Sequence, residues 1–170
     1  MPPGGAPKGL PEGFDDLLLL VGRLTYSWAN TESLLIHLIA GLARVDKETA
    51  VVIFLTLNTT RARVDLVERL AKLPRVPPAD RARVLALTAE FMRHSALRNR
   101  YSHSIYAFDA ESRTARTILM RISDRKDAIK MGLPLDIDDA ARAEVEAALA
   151  ALAELNAAFW ALIHDLGFPA

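Results

Sequence analysis

The sequence predicts an all-α protein, an antiparallel helical bundle of about five helices with a short β-hairpin before the last helix. Two patterns support this. Apolar residues recur at three- and four-residue spacing over most of the chain, which is typical of helices that pack along one face. After position 103 the spacing changes to alternation, and β-branched residues become frequent. At 170 residues, the chain is long enough to form one domain with a substantial core.

The first 13 residues are rich in proline and glycine and are expected to form a disordered tail, followed by a single helical domain over 14–168. Its first helix is predicted from Phe14 to Arg44. Glu32 lies at the edge of the apolar seam, either as a flanking residue or as a partner for an Arg across the bundle. His37 falls opposite the seam and is predicted at the surface. The seam itself suits a bundle or a dimer interface and comprises Leu17, Val21, Leu24, Trp28, Thr31, Leu35, Leu38 and Leu42.

Three shorter helices are predicted next. The first covers Lys47–Leu57 with Asp46 as its N-cap, and the second covers Arg61–Leu73 behind a cap at Thr59 or Thr60. Prolines end the second helix, and the third runs from about Ala79 to Asn99. Helical periodicity gives the third helix a buried stripe of Val84, Leu85, Thr88, Phe91, Met92, Ser95 and Ala96.

Beyond position 103, the alternating segments 105–109 and 116–122 predict the two strands of a hairpin with a turn at 109–112. The polar stretch 123–131 is expected to be a loop or a short helical turn, and the sequence Gly-Leu-Pro at 132–134 to break regular structure. The last helix is predicted over 140–166, capped by Asp138 and ended by Gly167. Its many alanines would permit a close approach to the first helix.

Composition excludes several classes of site and indicates the cellular compartment. The chain has no Cys, so it can form neither disulfides nor thiolate metal sites, which suits a cytoplasmic protein. No run of 18 uncharged apolar residues and no signal-peptide pattern is visible, so no membrane association is expected. The net charge is zero, but residues 61–100 hold ten Lys and Arg against four Asp and Glu, a local charge of +6. That asymmetry favours a polyanionic ligand on this side, although solvated Arg-rich helix faces would produce the same pattern.

The hexapeptide Arg98-Asn99-Arg100-Tyr101-Ser102-His103 is the most specific signal in the sequence. A guanidinium group can clamp phosphate oxygens, and an imidazole can move protons near neutral pH. Arg98 and Asn99 fall at the edges of the buried stripe, whereas Arg100 points away from it. The alternative is a structural Arg98 that pairs with helix-end carbonyls or with a carboxylate, with His103 as an ordinary loop residue.

This hexapeptide resembles the signature of the HEPN superfamily of small helical proteins, in which an Arg and a polar residue precede a His near the end of a bundle. Arg98, Asn99 and His103 match that pattern with four residues between Arg and His. The following Ser104-Ile105-Tyr106 is similar to the small and aromatic residues that follow the family's His. The resemblance is specific over about ten residues and architectural elsewhere.

The resemblance implies a metal-independent endoribonuclease that needs no cofactor and works as a homodimer. Arg98, Asn99 and His103 would be the catalytic residues. One His103 would take the ribose 2′-OH proton and the partner's His103 would protonate the leaving oxygen. Residues nearby are expected to contact RNA or a nucleotide: Arg100, Ser102, His94 and Tyr106. His94 is also spaced with Glu90 and Arg98 as a ladder on one helix face, which would be an ordinary surface arrangement.

Two other functions are compatible with the same residues. Many HEPN proteins lack activity, so a non-catalytic interaction or nucleotide-binding protein could use the same groove. The protein could also be a toxin-like component of a toxin–antitoxin or defence system, neutralised by an antitoxin-like protein partner. A metal site is not expected, because the four His residues are scattered along the chain.

Overall fold

The computed structural model of the chain describes residues 14–109, 114–125 and 128–170. The helices are α1 (Phe14–Ser33), α2 (Leu35–Ala43), α3 (Lys47–Thr56), α4 (Thr60–Ala71), α5 (Pro78–Arg93), α6 (Ser95–Ser102) and α7 (Asp139–Asp165). The strands are β1 (Ser104–Asp109), β2 (Thr114–Arg125) and β3 (Ala128–Asp136). The predicted fold class is confirmed, since helices dominate and a small antiparallel sheet precedes the last helix. The predicted tail at 1–13 and the centre of the predicted turn at 109–112 lie outside the described residues.

Two of the predicted helices are each interrupted once. Leu34 separates α1 from α2, and His94 separates α5 from α6. Both residues keep right-handed helical angles, and each backbone N–H reaches the carbonyl three residues earlier at 3.2 Å. These interruptions are therefore tightened turns within otherwise continuous rods.

Three predicted helix caps are confirmed by side-chain hydrogen bonds. Asp46 accepts from the Thr49 N–H at 2.7 Å, and Asp138 accepts from the Ala141 N–H at 2.8 Å. Between Thr59 and Thr60, the structure selects Thr59, whose hydroxyl accepts from the Ala62 N–H at 3.1 Å. Each cap satisfies a backbone donor that has no partner inside its helix, so each one sets where its helix begins.

The core is built where α1 packs along α7 with α5 beside them. Trp28 of α1 stacks on Phe91 of α5 with ring centroids 4.1 Å apart, and Phe91 meets Phe159 of α7 edge-on at 6.3 Å. The α1 seam predicted for a bundle or a dimer is thus buried within one chain. Its exposed apolar neighbours Leu18 and Leu19 remain at the surface.

The sheet has strand order β1-β2-β3, with both pairs antiparallel. The predicted hairpin is present as β1 and β2, but the loop or helical turn expected at 123–131 is wrong, because β2 continues to Arg125 and β3 begins at Ala128. The break expected at Gly132 does not occur, because Gly132 continues β3 with a φ of 74° that suits glycine, opposite a register shift between Leu119 and Ile122 of β2. Pro134 is tolerated because, among the described strands, β3 pairs with β2 alone.

His37 is buried, so its predicted surface position is wrong. The chain turns back after Gly167 (φ 61°) and covers the α2 helix. The His37 Nδ1 atom lies 2.6 Å from the Pro169 carbonyl oxygen, and the Phe168 ring occupies the space where a Cβ atom on Gly41 would lie. Helical periodicity could not reveal this cover, because it comes from the far end of the chain.

By length and composition alone, α7 could cross a membrane, since a window of its 27 residues has mean hydropathy 1.4. In the structure its apolar stripe packs on α1 and α5, as the stripe of a core helix does. The absence of membrane association stays a prediction.

Candidate functional site

The hexapeptide is held in place by the opposite face of α6. Leu97 and Tyr101 are buried in the core, at 8% and 4% exposure, and anchor this short helix. The stripe predicted from the sequence placed Ala96 inside, but Ala96 is exposed and Leu97 takes the buried position. The tightened turn at His94 explains the difference, because it changes the rotation of every residue that follows it.

Arg98, Asn99 and His103 line one cavity of about 450 Å³. The other walls come from the end of α1, from the α3–α4 connection with the first turn of α4, and from the α5–α6 junction. The other residues lining the cavity are Glu32, Asn58, Thr59, Thr60, Arg61, Arg63, Met92 and Ser95. The three residues predicted to be catalytic are therefore brought together at one opening.

Arg98 is half-buried and held from two sides. Its guanidinium carbon lies 4.8 Å from the centre of the Trp28 ring, and its Nη2 atom donates to the Thr60 hydroxyl at 3.1 Å. Burial lowers the pKa of Arg98, and the nearby charge of Glu32 acts in the opposite direction. An arginine still stays charged at neutral pH. Among the described residues, no carboxylate forms an ion pair with Arg98, and its Nε atom is buried without a hydrogen-bond partner.

Arg63 is the second buried guanidinium group of the cavity, and its contacts occupy two of its nitrogens. Its Nη1 atom donates to Glu32 Oε1 at 2.9 Å, and its Nε atom donates to the Phe54 carbonyl at 3.1 Å. The guanidinium carbon also lies 4.0 Å from the centre of the Phe54 ring. The sequence allowed two interpretations of Glu32, and the structure supports the one in which it pairs with an Arg across the bundle.

His103 lies at the rim, where α6 ends and β1 begins. Its backbone N–H donates to the Asn99 carbonyl at 3.0 Å, which closes the helix, and both side chains are exposed. Within the described part of the chain, no hydrogen bond is formed by the imidazole. The ring is thus free to meet a ligand or a second protein molecule at the cavity mouth.

Two predicted contact residues face other parts of the molecule. Arg100 points away, as predicted, and pairs with Glu144 of α7 at 2.7 Å. Tyr106 is half-buried, and its hydroxyl donates to the Tyr101 carbonyl at 3.2 Å. Burial raises the pKa of Tyr106, which keeps this hydroxyl protonated as a donor. A direct role for either residue in ligand binding stays a prediction.

The other two predicted contact residues also lie outside the cavity wall. Ser102 is exposed on the last turn of α6. His94 is partly buried with its Nε2 atom 3.6 Å from Glu90 Oε1, as in the predicted ladder. Burial and then the charge of Arg93 lower the pKa of His94, so the ring favours its neutral form.

The sequence does not predict which residues outside the hexapeptide line the cavity. Thr60, Arg61 and Arg63 reach it from α4, and Glu32 reaches it from α1. A partial signal existed, because Arg61 and Arg63 open the basic segment directly after the polar Asn-Thr-Thr break at 58–60. Among the described residues, the cavity joins three guanidinium groups to one carboxylate, and these four side chains carry a formal charge of +2. Such a site attracts anions.

Comparison of the chain with protein-family models, with curated proteins and with solved structures finds no match. In the described residues, no group of three or more His, Cys, Asp or Glu side chains is placed to hold a metal ion. The geometry and charge of the cavity are thus the grounds on which its function is argued.

Proposed function

We propose that this protein binds RNA through the Arg98 cavity and cleaves it, as a homodimer, without a metal ion. The observation that carries the proposal is the meeting of Arg98, Asn99 and His103 with Arg61 and Arg63 at one opening. Guanidinium groups would bind the phosphate and stabilise charge that develops on it, and imidazole would move the protons. The resemblance of residues 98–106 to the HEPN signature supports the same chemistry.

The proposal requires two chains because each cavity contains a single imidazole. Cleavage by 2′-OH attack needs one group to accept a proton and another to donate one. His103 is exposed at the rim, so a second His103 can approach it. Ile105 is 52% exposed two residues farther on, and such an apolar side chain is suited to a contact between copies.

A non-catalytic nucleotide-binding protein is the second candidate, and one observation favours it. The His103 ring forms no hydrogen bond to another described residue, whereas catalytic imidazoles are commonly oriented by a partner group. The same cavity would then bind phosphate without proton transfer. The toxin-like role with an antitoxin-like partner is compatible with either candidate.

Incubation of the purified protein with a structured RNA in EDTA tests the proposal. The wild-type protein is expected to cleave, and His103→Ala to bind the RNA without cleaving it. His103 lies beyond the buried part of α6, so the substitution is expected to preserve folding, which circular dichroism can check. Binding without cleavage by the wild type favours the non-catalytic candidate, and absence of RNA binding rejects the proposed function.

A further inference from the structure

A carboxylate lines the cavity that we propose for phosphate. Glu32 lies in the last turn of α1, and its side chain is only 10% exposed. A buried anion beside a phosphate site opposes the ligand electrostatically, since like charges repel more strongly where water is excluded. Glu32 is therefore expected to weaken the binding of anions in the cavity.

The three cavity guanidinium groups are neutralised to different degrees. Arg61 pairs with Asp65 on its own helix, and its side chain is 68% exposed, so water screens this pair. Arg98 has hydrogen bonding to Thr60 and stacking on Trp28, but no described carboxylate forms an ion pair with it. Only Arg63 is paired with a buried carboxylate inside the cavity, at 2.9 Å.

We infer that Glu32 is an internal competitor for the ligand, a carboxylate that occupies the Nη1 donor of Arg63 until a phosphate oxygen replaces it. Arg98 is then the first phosphate-binding group, and the Nη1 atom of Arg63 joins it when the Glu32 contact is exchanged. This inference rests on the proposed binding of phosphate in the cavity, and it adds the residue that regulates that binding.

Selectivity for charge follows from this arrangement. A phosphate group with two or more negative charges, such as a terminal phosphate or pyrophosphate, can replace the Glu32 carboxylate at Arg63 more effectively than a singly charged ion can. In the free protein the ion pair keeps Arg63 from carrying an uncompensated buried charge, which would be costly. Glu32 thus stabilises the empty cavity and weakens the binding of simple anions.

The test compares Glu32→Gln with Glu144→Gln in titrations with inorganic pyrophosphate. Both substitutions remove one negative charge and one ion pair with an Arg, but Arg100, the partner of Glu144, does not line the cavity. We expect Glu32→Gln to bind pyrophosphate roughly tenfold more tightly than wild type at low salt, and the gain to shrink as salt screens the charges. Glu144→Gln is expected to change the affinity less than about twofold, because Glu144 lies outside the cavity lining and water screens its half-exposed charge.

Equal affinity of wild type and Glu32→Gln, including no binding by either, contradicts the inference. Gains of the same size in both variants also contradict it, because net charge alone would then explain them. NMR titration of the wild-type protein with pyrophosphate is a second test, which does not depend on the folding of a variant. Side-chain NMR resonances of Arg63 and Arg98 are expected to shift with pyrophosphate while that of Arg100 stays, and an unmoved Arg63 resonance overturns the exchange.

Two combinations of results distinguish the role of Glu32 from the proposed function. If RNA is cleaved but Glu32→Gln leaves pyrophosphate affinity unchanged, the carboxylate is only a structural partner of Arg63. If Glu32→Gln binds pyrophosphate more tightly but no RNA is cleaved, Glu32 regulates an anion site that has another purpose.

Discussion

The guanidinium carbon of Arg98 lies 4.8 Å from the centre of the Trp28 ring, so the predicted catalytic arginine rests on the aromatic core of the bundle. Trp28 in turn stacks on Phe91. The position of Arg98 is therefore set by packing as well as by its hydrogen bond to Thr60. This contact ties the stability of the core to the geometry of the site.

Thr60→Val tests the hydrogen bond to Arg98. The variant keeps the shape of the side chain and loses its hydroxyl, so we expect a stability loss of about 1 kcal/mol in urea denaturation. The free energy of RNA binding and the activation free energy of cleavage should each become less favourable by more than this loss of stability. The reason is that the guanidinium group of Arg98 loses its fixed orientation. Thr49→Val, an exposed substitution on α3 outside the cavity, is the control. Equal RNA affinity in wild type and Thr60→Val would contradict a positioning role.

Arg61→Ala tests the electrostatic part of the site. Arg61 lines the cavity mouth, and Arg69 is an exposed arginine of the same helix that does not. Loss of one phosphate contact is expected to reduce the slope of log affinity against log salt by about 0.7. Fluorescence anisotropy with labelled single-stranded RNA at several salt concentrations measures this slope. If Arg69→Ala lowers it equally, the basic segment acts as a diffuse surface charge.

The fold was predictable to the extent that it depends on local pattern. Helix caps at Asp46 and Asp138 and the seam of α1 follow from residues within a few positions of each other. The burial of His37 depends on Pro169, 132 positions away, and no periodicity reports it. The strand β3 was missed because Gly132 and Pro134 are typical of breaks, whereas a register shift and an edge position accommodate them.

The site residues also divide into those that local sequence predicts and those that only packing brings together. Arg98, Asn99 and His103 could be found because the short helix α6 and the residue that directly follows it present all three. Glu32 and Thr60 come from α1 and α4, and only packing brings them to Arg98. The tightened turn at His94 also shifts the burial pattern of α6, so the sequence projection assigned Ala96 to the core in place of Leu97.

His94 predicts an acid-sensitive contribution to stability. Its pKa is lowered in the folded protein, by burial and then by Arg93, from an ordinary value of 6.5. The folded state thus prefers the neutral ring, and this preference stabilises the fold above about pH 6.5 and is lost as pH falls through the lowered value. Urea denaturation at pH 5 and pH 7.5 is expected to show a smaller difference for His94→Gln than for wild type. An unchanged difference would assign the acid sensitivity to other groups.

A two-fold dimer is expected from the single imidazole in each cavity. Light scattering at micromolar concentration should give twice the chain mass for wild type and the chain mass for Ile105→Asp, since a buried aspartate would oppose association. RNA cleavage is expected to fall together with the dimer. Full cleavage activity by a monomer would remove the two-chain mechanism.

A comparison of Arg98→Lys with Arg100→Lys tests whether the face of α6 that bears Arg98 meets the RNA. Both variants keep the positive charge but lose the planar fork that binds two phosphate oxygens. We expect Arg98→Lys to lower RNA cleavage in EDTA by about 100-fold, and Arg100→Lys, whose side chain pairs with Glu144, to cleave within about twofold of wild type. Equal losses in the two variants, or no loss in Arg98→Lys, would show that this face of α6 does not act on the RNA.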